Sequence, residues 1–264
     1  MILISKANFG FMHIPKCAGS TFREQLQDLN ETGRGWSGII DVPGHGRMYG
    51  HHLPLSVVSD AFPEIMERLC KVTRYAVVRE PMERFRSSMS QWIRNELRRE
   101  ASEMSAPEIL DECMKVIDEL SRGSRPQNPR LGLFLRQSDF VFFEGRKFVE
   151  NLYCFNDIDR LARDIQERHG LHVTTESVWN QTLTYKAPGW SARIKQLRSV
   201  AKRHLPTRSY AFIRDLGVKV FTTKGAPGLA EAFGSSDTVG DFVRSHYAQD
   251  LDLFASVNSA NAAA

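Results

Sequence analysis

Residues 13–21, with the sequence HIPKCAGST, combine the residue types that bind phosphate groups. A small-residue loop between a strand and a helix leaves backbone N–H groups free at the helix N-terminus, where the helix dipole also favours an anion. Gly19 lets the backbone approach a ligand closely, and Lys16 supplies a mobile cation in front of the glycine. The alternative is an ordinary capped turn with a surface lysine. The predicted phosphate loop comprises Pro15, Lys16, Cys17, Ala18, Gly19, Ser20 and Thr21.

A second anion site is predicted at the end of an apolar segment, residues 72–78. Arg79 follows this segment, and open α/β sheets bind ligands at the carboxyl ends of their strands. Ser87 comes two turns into the next helix, so its hydroxyl and the Arg79 guanidinium can converge on one anion. The alternative is a surface ion pair between Arg79 and Glu80 or Glu83. Two anion sites at two strand ends favour a ligand with phosphates at both ends. The polar stripe of this helix is expected to contain Arg84, Ser87, Ser88, Gln91 and Asn95.

The elements that position these residues are predicted from the spacing of apolar side chains. Strands are expected over residues 8–14, 48–53, 72–78 and 152–155. Helices are expected to begin near residues 20 and 81 and to cover 106–120, 157–169, 191–204 and 237–257. Ser20 or Thr21 is expected to cap the first helix, with Glu24 completing a capping box. Strands that alternate with helices predict an α/β fold with an open, mostly parallel sheet flanked by helices.

The composition places bounds on the class of protein. The chain has 264 residues, of which 42% are apolar and 25% charged, so we expect one globular domain over residues 1–257 and a disordered tail over 258–264. No apolar run approaches the roughly 18 residues that a membrane helix needs, and the first residues do not resemble a secretion signal. The four cysteines lack metal-binding spacing and are expected to be free thiols. The sequence therefore predicts a cytoplasmic protein with no membrane span and no metal site.

The net charge of +4 is unevenly distributed along the chain. Residues 177–214 contain eight Lys and Arg residues and no Asp or Glu, so the remainder carries a net charge of −4. A solvated helix face and a surface for a polyanionic ligand are both consistent with such a basic stretch. Aromatic residues are not interleaved with these cations in the pattern that stacks on bases, so no nucleic-acid partner is expected.

Three segments resemble motifs of the sulfotransferases that use 3′-phosphoadenosine 5′-phosphosulfate (PAPS), especially the carbohydrate sulfotransferase (family 2) branch with its many bacterial members. HIPKCAGST at 13–21 resembles the 5′-phosphosulfate loop, although Cys17 stands where that family usually has threonine or a small residue. YGHHLP at 49–54 is similar to a Gly-His element of that branch, with one histidine more. VVREPMERFRSS at 77–88 resembles the 3′-phosphate motif, with a proline two residues and a serine eight residues after the arginine.

This resemblance implies a P-loop-like sulfotransferase fold and the transfer of a sulfuryl group from PAPS to an acceptor hydroxyl, leaving adenosine 3′,5′-bisphosphate. Lys16 and the loop N–H groups would stabilise the departing 5′-phosphate. Arg79 and Ser87 would bind the 3′-phosphate, and no metal would be needed. His51, or else His52, would be the general base. The acceptor would most often be a carbohydrate, selected by residues 98–140 and the basic stretch.

A P-loop-like kinase, or a nucleotide-binding protein without sulfotransferase activity, is the main alternative. Lys16 precedes the glycine, whereas the lysine of a Walker loop follows its glycine directly, and the sequence offers no assignable acidic partner for Mg²⁺. A metal requirement for turnover would favour the kinase. A non-catalytic nucleic-acid binder that uses the basic stretch would instead show steep salt dependence without PAPS binding.

Overall fold

The computed structural model describes residues 1–32, 36–122, 129–175, 183–185, 222–224 and 227–262. Within these ranges the chain is α/β, and its largest sheet is mixed, open and four-stranded. The strands are β1 Ile2–Ile4, β2 Phe9–Met12, β3 Ile39–Val42, β4 Gly46–Tyr49, β5 Thr73–Val78, β6 Phe142–Phe143, β7 Arg146–Lys147, β8 Asn151–Cys154, β9 Leu183–Tyr185 and β10 Thr222–Lys224. The α-helices are α1 Gly19–Leu26, α2 Leu55–Ala61, α3 Pro63–Cys70, α4 Pro81–Trp92, α5 Ala106–Ser121, α6 Ser138–Val141, α7 Ile158–His169, α8 Pro227–Gly234, α9 Asp237–His246 and α10 Ala248–Ala262. The predicted helix 191–204 and the eight cations of the basic stretch lie outside the described residues.

The four-stranded sheet has the order β1-β2-β5-β8. Strands β2, β5 and β8 are parallel, and β1 is an antiparallel edge. The register pairs Met12 with Ala76 and Val78 with Cys154, so the three parallel strands end at the same edge of the sheet. Three of the predicted strands are thereby confirmed. Their carboxyl ends lead directly into the predicted phosphate loop, Arg79 and residue 155.

The predicted strand over residues 48–53 is not part of this sheet. Among the described strands, β4 pairs only with β3, and Gly44 in the connecting turn and Gly46 at the start of β4 both have a φ of +70°. Residues Gly50–His52 then form one turn of 3₁₀-helix. The β3–β4 hairpin pairs the backbone of the first residues of this segment. The predicted strand was therefore wrong for the two histidines, which lie in the 3₁₀-turn.

The C-terminal part of the chain forms two helices where the sequence predicted one. Tyr247 separates α9 from α10, and its hydroxyl donates to the backbone oxygen of Phe134 at 2.7 Å. Helix α10 continues to Ala262, and Asn261 donates to the Asp157 carboxylate at 3.0 Å. Residues 258–262, which the sequence predicted to belong to a disordered tail, form the end of α10. In the described part of the chain, no helix has the length and apolar character needed to cross a membrane.

Candidate functional site

The backbone between β2 and α1 is held in a conformation that non-glycine residues rarely adopt. Lys16 has a φ of 65° and Ala18 a φ of 58°. Such left-handed residues cost of order 1 to 3 kcal/mol each and concentrate at functional sites. Ala18 is the residue before α1, and among the described residues no side chain caps this helix. The expected cap by Ser20 or Thr21 is therefore not formed, and both residues lie in the first turn, with Thr21 buried.

Gly19 is required by a contact that the sequence did not reveal. A Cβ atom on Gly19 would fall well inside the van der Waals radius of Cδ2 of His13. The His13 ring is buried and packs directly against the first turn of α1. Glycine therefore lets the loop fold back on the end of β2, in addition to the role in ligand approach that the sequence suggested.

Lys16 connects the two predicted anion sites. Its Nζ donates to Oε1 of Gln91 on α4 at 2.7 Å. Burial lowers the pKa of Lys16 to about 8, with smaller contributions from the positive charges of Arg94 and Arg79. The lysine of the loop and the arginine at the end of β5 therefore act on one another electrostatically. An anion bound among these cations would relieve their repulsion.

Arg94 belongs to this group, although sequence reasoning did not select it. It lies in a short π-helix, Ile93–Leu97, that continues α4, and π-helical turns are common at functional sites. Its Nε donates to Glu100 at 3.1 Å. The signal available in the sequence was its spacing, because Arg94 follows Gln91 by three residues and shares its helix face.

Arg79 is oriented by an aromatic ring and only weakly paired. Its guanidinium carbon lies 4.5 Å from the centroid of the Phe155 ring, which follows β8. Its Nη2 lies 3.7 Å from a carboxylate oxygen of Glu83, which is one of the two ion pairs that the sequence offered as the alternative to an anion site. Glu80 instead caps α4 by accepting from the backbone N–H groups of the next turn. Ser87 lies half-buried on the same helix, two turns after Arg79.

Two members of the expected polar stripe lie in the interior instead. Arg84 is fully buried, 3.7 Å from the buried carboxylate of Asp250, and its guanidinium carbon lies 4.9 Å from the centroid of the Tyr247 ring. Ser88 donates to the backbone oxygen of Leu133 at 2.9 Å. The stripe prediction was wrong for both residues, because residues far along the chain cover that side of α4.

Three histidine rings form a cluster against the loop. The ring centroid of His52 lies 4.3 Å from that of His13 and 4.1 Å from that of His51. His51 and His52 are thus on one side of the molecule, since consecutive residues of a 3₁₀-turn need not alternate as they do in a strand. Burial is the main cause that lowers the pKa of His51 to about 3 and that of His52 well below its usual value, so both are neutral at pH 7.

The two candidate bases differ in how they are held. Nδ1 of His52 lies 2.8 Å from the backbone oxygen of His13. A carbonyl oxygen only accepts, so Nδ1 carries the proton and Nε2 is the basic nitrogen. His51 hydrogen-bonds to the Trp36 backbone, and its Nδ1 is buried without a partner among the described residues. The tautomer of His52 is therefore set by the loop, whereas His51 is held by a neighbouring segment.

Cys17 is a buried thiol and not a nucleophile. Burial raises its pKa to about 12. Its Sγ lies 3.5 Å from the backbone oxygen of Pro15 and 3.4 Å from Oε1 of Gln137. The thiol thus serves as a weak donor that attaches the loop to the residue preceding α6.

The described side chains combine cations at a helix N-terminus with histidines that are neutral at pH 7. In the described part of the chain, no three His, Cys, Asp or Glu residues are grouped so that they could hold a metal ion. The arrangement can bind an anion at a helix N-terminus, neutralise it with Lys16 and Arg79, and accept a proton at a histidine. Comparisons of the chain with models of protein families, with curated proteins and with solved structures found no match.

Proposed function

We propose that this protein is a sulfotransferase that transfers a sulfuryl group from PAPS to an acceptor hydroxyl. The observation that carries the proposal is the sheet geometry, in which β2 and β5 are parallel neighbours that lead into Lys16 and Arg79 at the same edge of the sheet. A loop cation and a strand-end arginine on neighbouring parallel strands suit a nucleotide with anionic groups at both ends. We also propose that the α/β fold of this chain is the P-loop-like fold of sulfotransferases.

The proposed donor site has two halves. The N-terminal turn of α1 and the Lys16 ammonium would bind the 5′-phosphosulfate, because N–H groups and a cation meet there. Arg79 and Ser87 would bind the 3′-phosphate and so distinguish PAPS from nucleotides that lack it. The left-handed loop backbone supports this assignment, since such conformations concentrate at functional sites and Lys16 contacts Gln91 on α4 from this loop.

The proposed reaction breaks the bond between sulfur and the bridging 5′-phosphate oxygen and forms a bond between sulfur and the acceptor oxygen. Negative charge develops on the departing phosphate, where Lys16 would stabilise it. A comparable oxyanion donor contributes about 3 kcal/mol to catalysis in other enzymes. A bound anion also raises the pKa of Lys16 above about 8, so the lysine stays protonated during transfer.

The acceptor proton would pass to a histidine. The geometry favours His52 over His51, because the backbone of His13 holds the Nδ1 proton and leaves Nε2 to accept. The negative charge of bound PAPS would raise the low pKa of this neutral imidazole toward the working pH. The acceptor is proposed to be a hydroxyl-bearing molecule, most often a carbohydrate.

The decisive experiment measures transfer of ³⁵S-labelled sulfate from PAPS to a panel of sugars, small alcohols, lipids and peptides, without added metal. Labelled product that depends on the protein supports the proposal. Binding of adenosine 3′,5′-bisphosphate is measured in parallel by calorimetry. No labelled product and no bisphosphate binding would contradict the proposal, and turnover of ATP that requires Mg²⁺ would point to the kinase alternative.

A further inference from the structure

The side chain of Gln137, just before α6, is completely buried between the end of β5 and the phosphate loop. We infer that Gln137 is a positioning residue that holds Arg79 and the loop in one fixed relation, so that the two anion sites bind one ligand as a unit. This inference rests on the proposed donor site and adds to it a residue that touches neither phosphate.

The Gln137 amide pairs with both backbone groups of Arg79. The Arg79 N–H donates to Oε1 at 2.8 Å, and Nε2 donates to the Arg79 carbonyl at 2.8 Å. This pairing reproduces the two hydrogen bonds that a neighbouring strand residue would make. It continues the β-type pairing one residue beyond β5 and thereby sets the direction in which the Arg79 side chain leaves the sheet.

The same oxygen of Gln137 reaches the loop. Cys17 Sγ lies 3.4 Å from Oε1, and Cys17 stands between the two left-handed residues Lys16 and Ala18. The one acceptor oxygen of Gln137 thus contacts both the end of β5, through the Arg79 N–H, and the strained loop, through the Cys17 thiol. Displacement of either segment would break a buried hydrogen bond, which makes their relative position costly to change.

Gln137 is itself held by a buried charge. Its backbone N–H and that of Ser138 donate to the two carboxylate oxygens of Asp250 on α10, each at 2.8 Å. Asp250 lies 3.7 Å from the guanidinium of Arg84, and both are fully buried. Gln137 is therefore held by buried hydrogen bonds and an ion pair that connect α4, α6 and α10. Its position does not depend on the ligand.

A double-mutant cycle tests the inference, with adenosine 3′,5′-bisphosphate as the titrant in calorimetry. In the wild-type background we expect Arg79→Ala to weaken binding about 30-fold, as loss of a charged hydrogen bond does. In the Gln137→Met background, where Arg79 is already misplaced, we expect the same substitution to weaken binding less than about 5-fold. Equal losses in both backgrounds would overturn the inference, because a glutamine that only stabilises the fold does not change what Arg79 contributes to binding.

Asn8→Gly is the matched control. The Asn8 side-chain amide accepts from the Thr73 N–H at 3.1 Å and donates to the Thr73 hydroxyl at 3.2 Å, at the opposite end of β5, and its φ of 52° suits glycine. This variant should lose stability and yet leave the effect of Arg79→Ala at its wild-type size. Should Gln137→Met not fold, Gln137→Glu replaces it. Glutamate has the same size but does not donate to the Arg79 carbonyl when ionised, so an intermediate loss is expected, and a wild-type loss would again overturn the inference.

Amide hydrogen exchange separates this inference from the proposed function, because it needs no ligand. In Gln137→Met the amide of Arg79 and those of the loop should exchange at least 10-fold faster, while the amides of Tyr75 and Val77 within β5 stay protected. Unchanged protection of Arg79 would overturn the positioning role even if the bisphosphate binds. Faster exchange in a protein that does not bind the bisphosphate would support the positioning role and reject PAPS as the donor.

Discussion

The ammonium of Lys16 donates to the side-chain amide of Gln91 at 2.7 Å, across the gap between the phosphate loop and α4. This contact brings the loop lysine to the helix that begins two residues after Arg79 and carries Ser87. An anion that enters the site competes with a neutral amide for the lysine, and not with a carboxylate. Lys16 is therefore available to a ligand at little electrostatic cost.

Replacement of Lys16 by alanine is expected to lower sulfuryl transfer about 100- to 1000-fold, because the departing phosphate loses its cation. Initial rates with ³⁵S-labelled PAPS measure this effect. Lys71→Ala is the control, because that exposed lysine pairs only with Glu67 in the described structure. This variant should transfer the sulfuryl group at the wild-type rate. Near-normal turnover of Lys16→Ala would remove the lysine from the mechanism.

The affinity for adenosine 3′,5′-bisphosphate should depend on pH through Lys16. Its pKa of about 8 in the free protein means that the lysine is charged below pH 8 and loses its proton above it. Binding favours the charged form, so the dissociation constant should rise as the pH increases through 8. Calorimetry between pH 6.5 and pH 9.5 tests this, with Lys16→Met as the comparison. A pH dependence that persists in Lys16→Met would assign the titration to another group.

His52→Ala should lower kcat by about 100-fold or more, as loss of a general base does, while the affinity for the bisphosphate changes less than about twofold. His51→Ala should have the smaller effect on kcat, because the loop does not set the tautomer of His51. Thermal unfolding of both variants verifies that the packed cluster remains folded. A larger loss in His51→Ala would restore the preference that the sequence suggested.

Arg79→Ala should weaken binding of adenosine 3′,5′-bisphosphate about 30-fold, the effect of one charged hydrogen bond. Binding of adenosine 5′-monophosphate, which has no 3′-phosphate, should be nearly unchanged. Arg74→Ala serves as the control, since Arg74 lies at the other end of the same strand and pairs with Glu150. If Arg79→Ala weakens the binding of both nucleotides by the same factor, Arg79 does not contact the 3′-phosphate.

Gly19→Ala should destabilise the protein by about 1 to 3 kcal/mol, because the new methyl group overlaps with the His13 ring. Chemical denaturation measures the free energy of unfolding. Gly234→Ala, where a Cβ meets no atom within 4 Å among the described residues, should change it by less than about 0.5 kcal/mol. His13→Ala should recover part of the loss in the double variant. Additive losses would show that the ring is not the cause.

Much of the framework was predictable from local sequence. The apolar segments over 8–14, 72–78 and 152–155 correspond to β2, β5 and β8, and the glycine-containing loop correctly predicted the start of α1. These features depend on side-chain periodicity and on short loops, which act over a few residues. The class α/β follows from them, since parallel strands need helices between them.

The residues that complete the candidate site could not be predicted in the same way. Gln137 is 58 residues from Arg79 and 120 from Cys17, and Asp250 is 113 residues further along the chain. The inward direction of Arg84 and the packing of His51 and His52 against His13 also depend on elements that are distant in sequence. Local patterns carry no information about such partners.

Local chemistry thus predicted an anion-binding set at the ends of two strands, formed by the phosphate loop with Lys16 and by Arg79, because the types and spacing of a few residues suffice for such a prediction. The folded chain decided how these residues are positioned. It placed the loop lysine beside α4, assigned the Nδ1 proton of His52, and set a buried glutamine between the two sites. Burial and hydrogen bonds across long sequence separations decide these features, and they exist only once the sheet and its helices have packed.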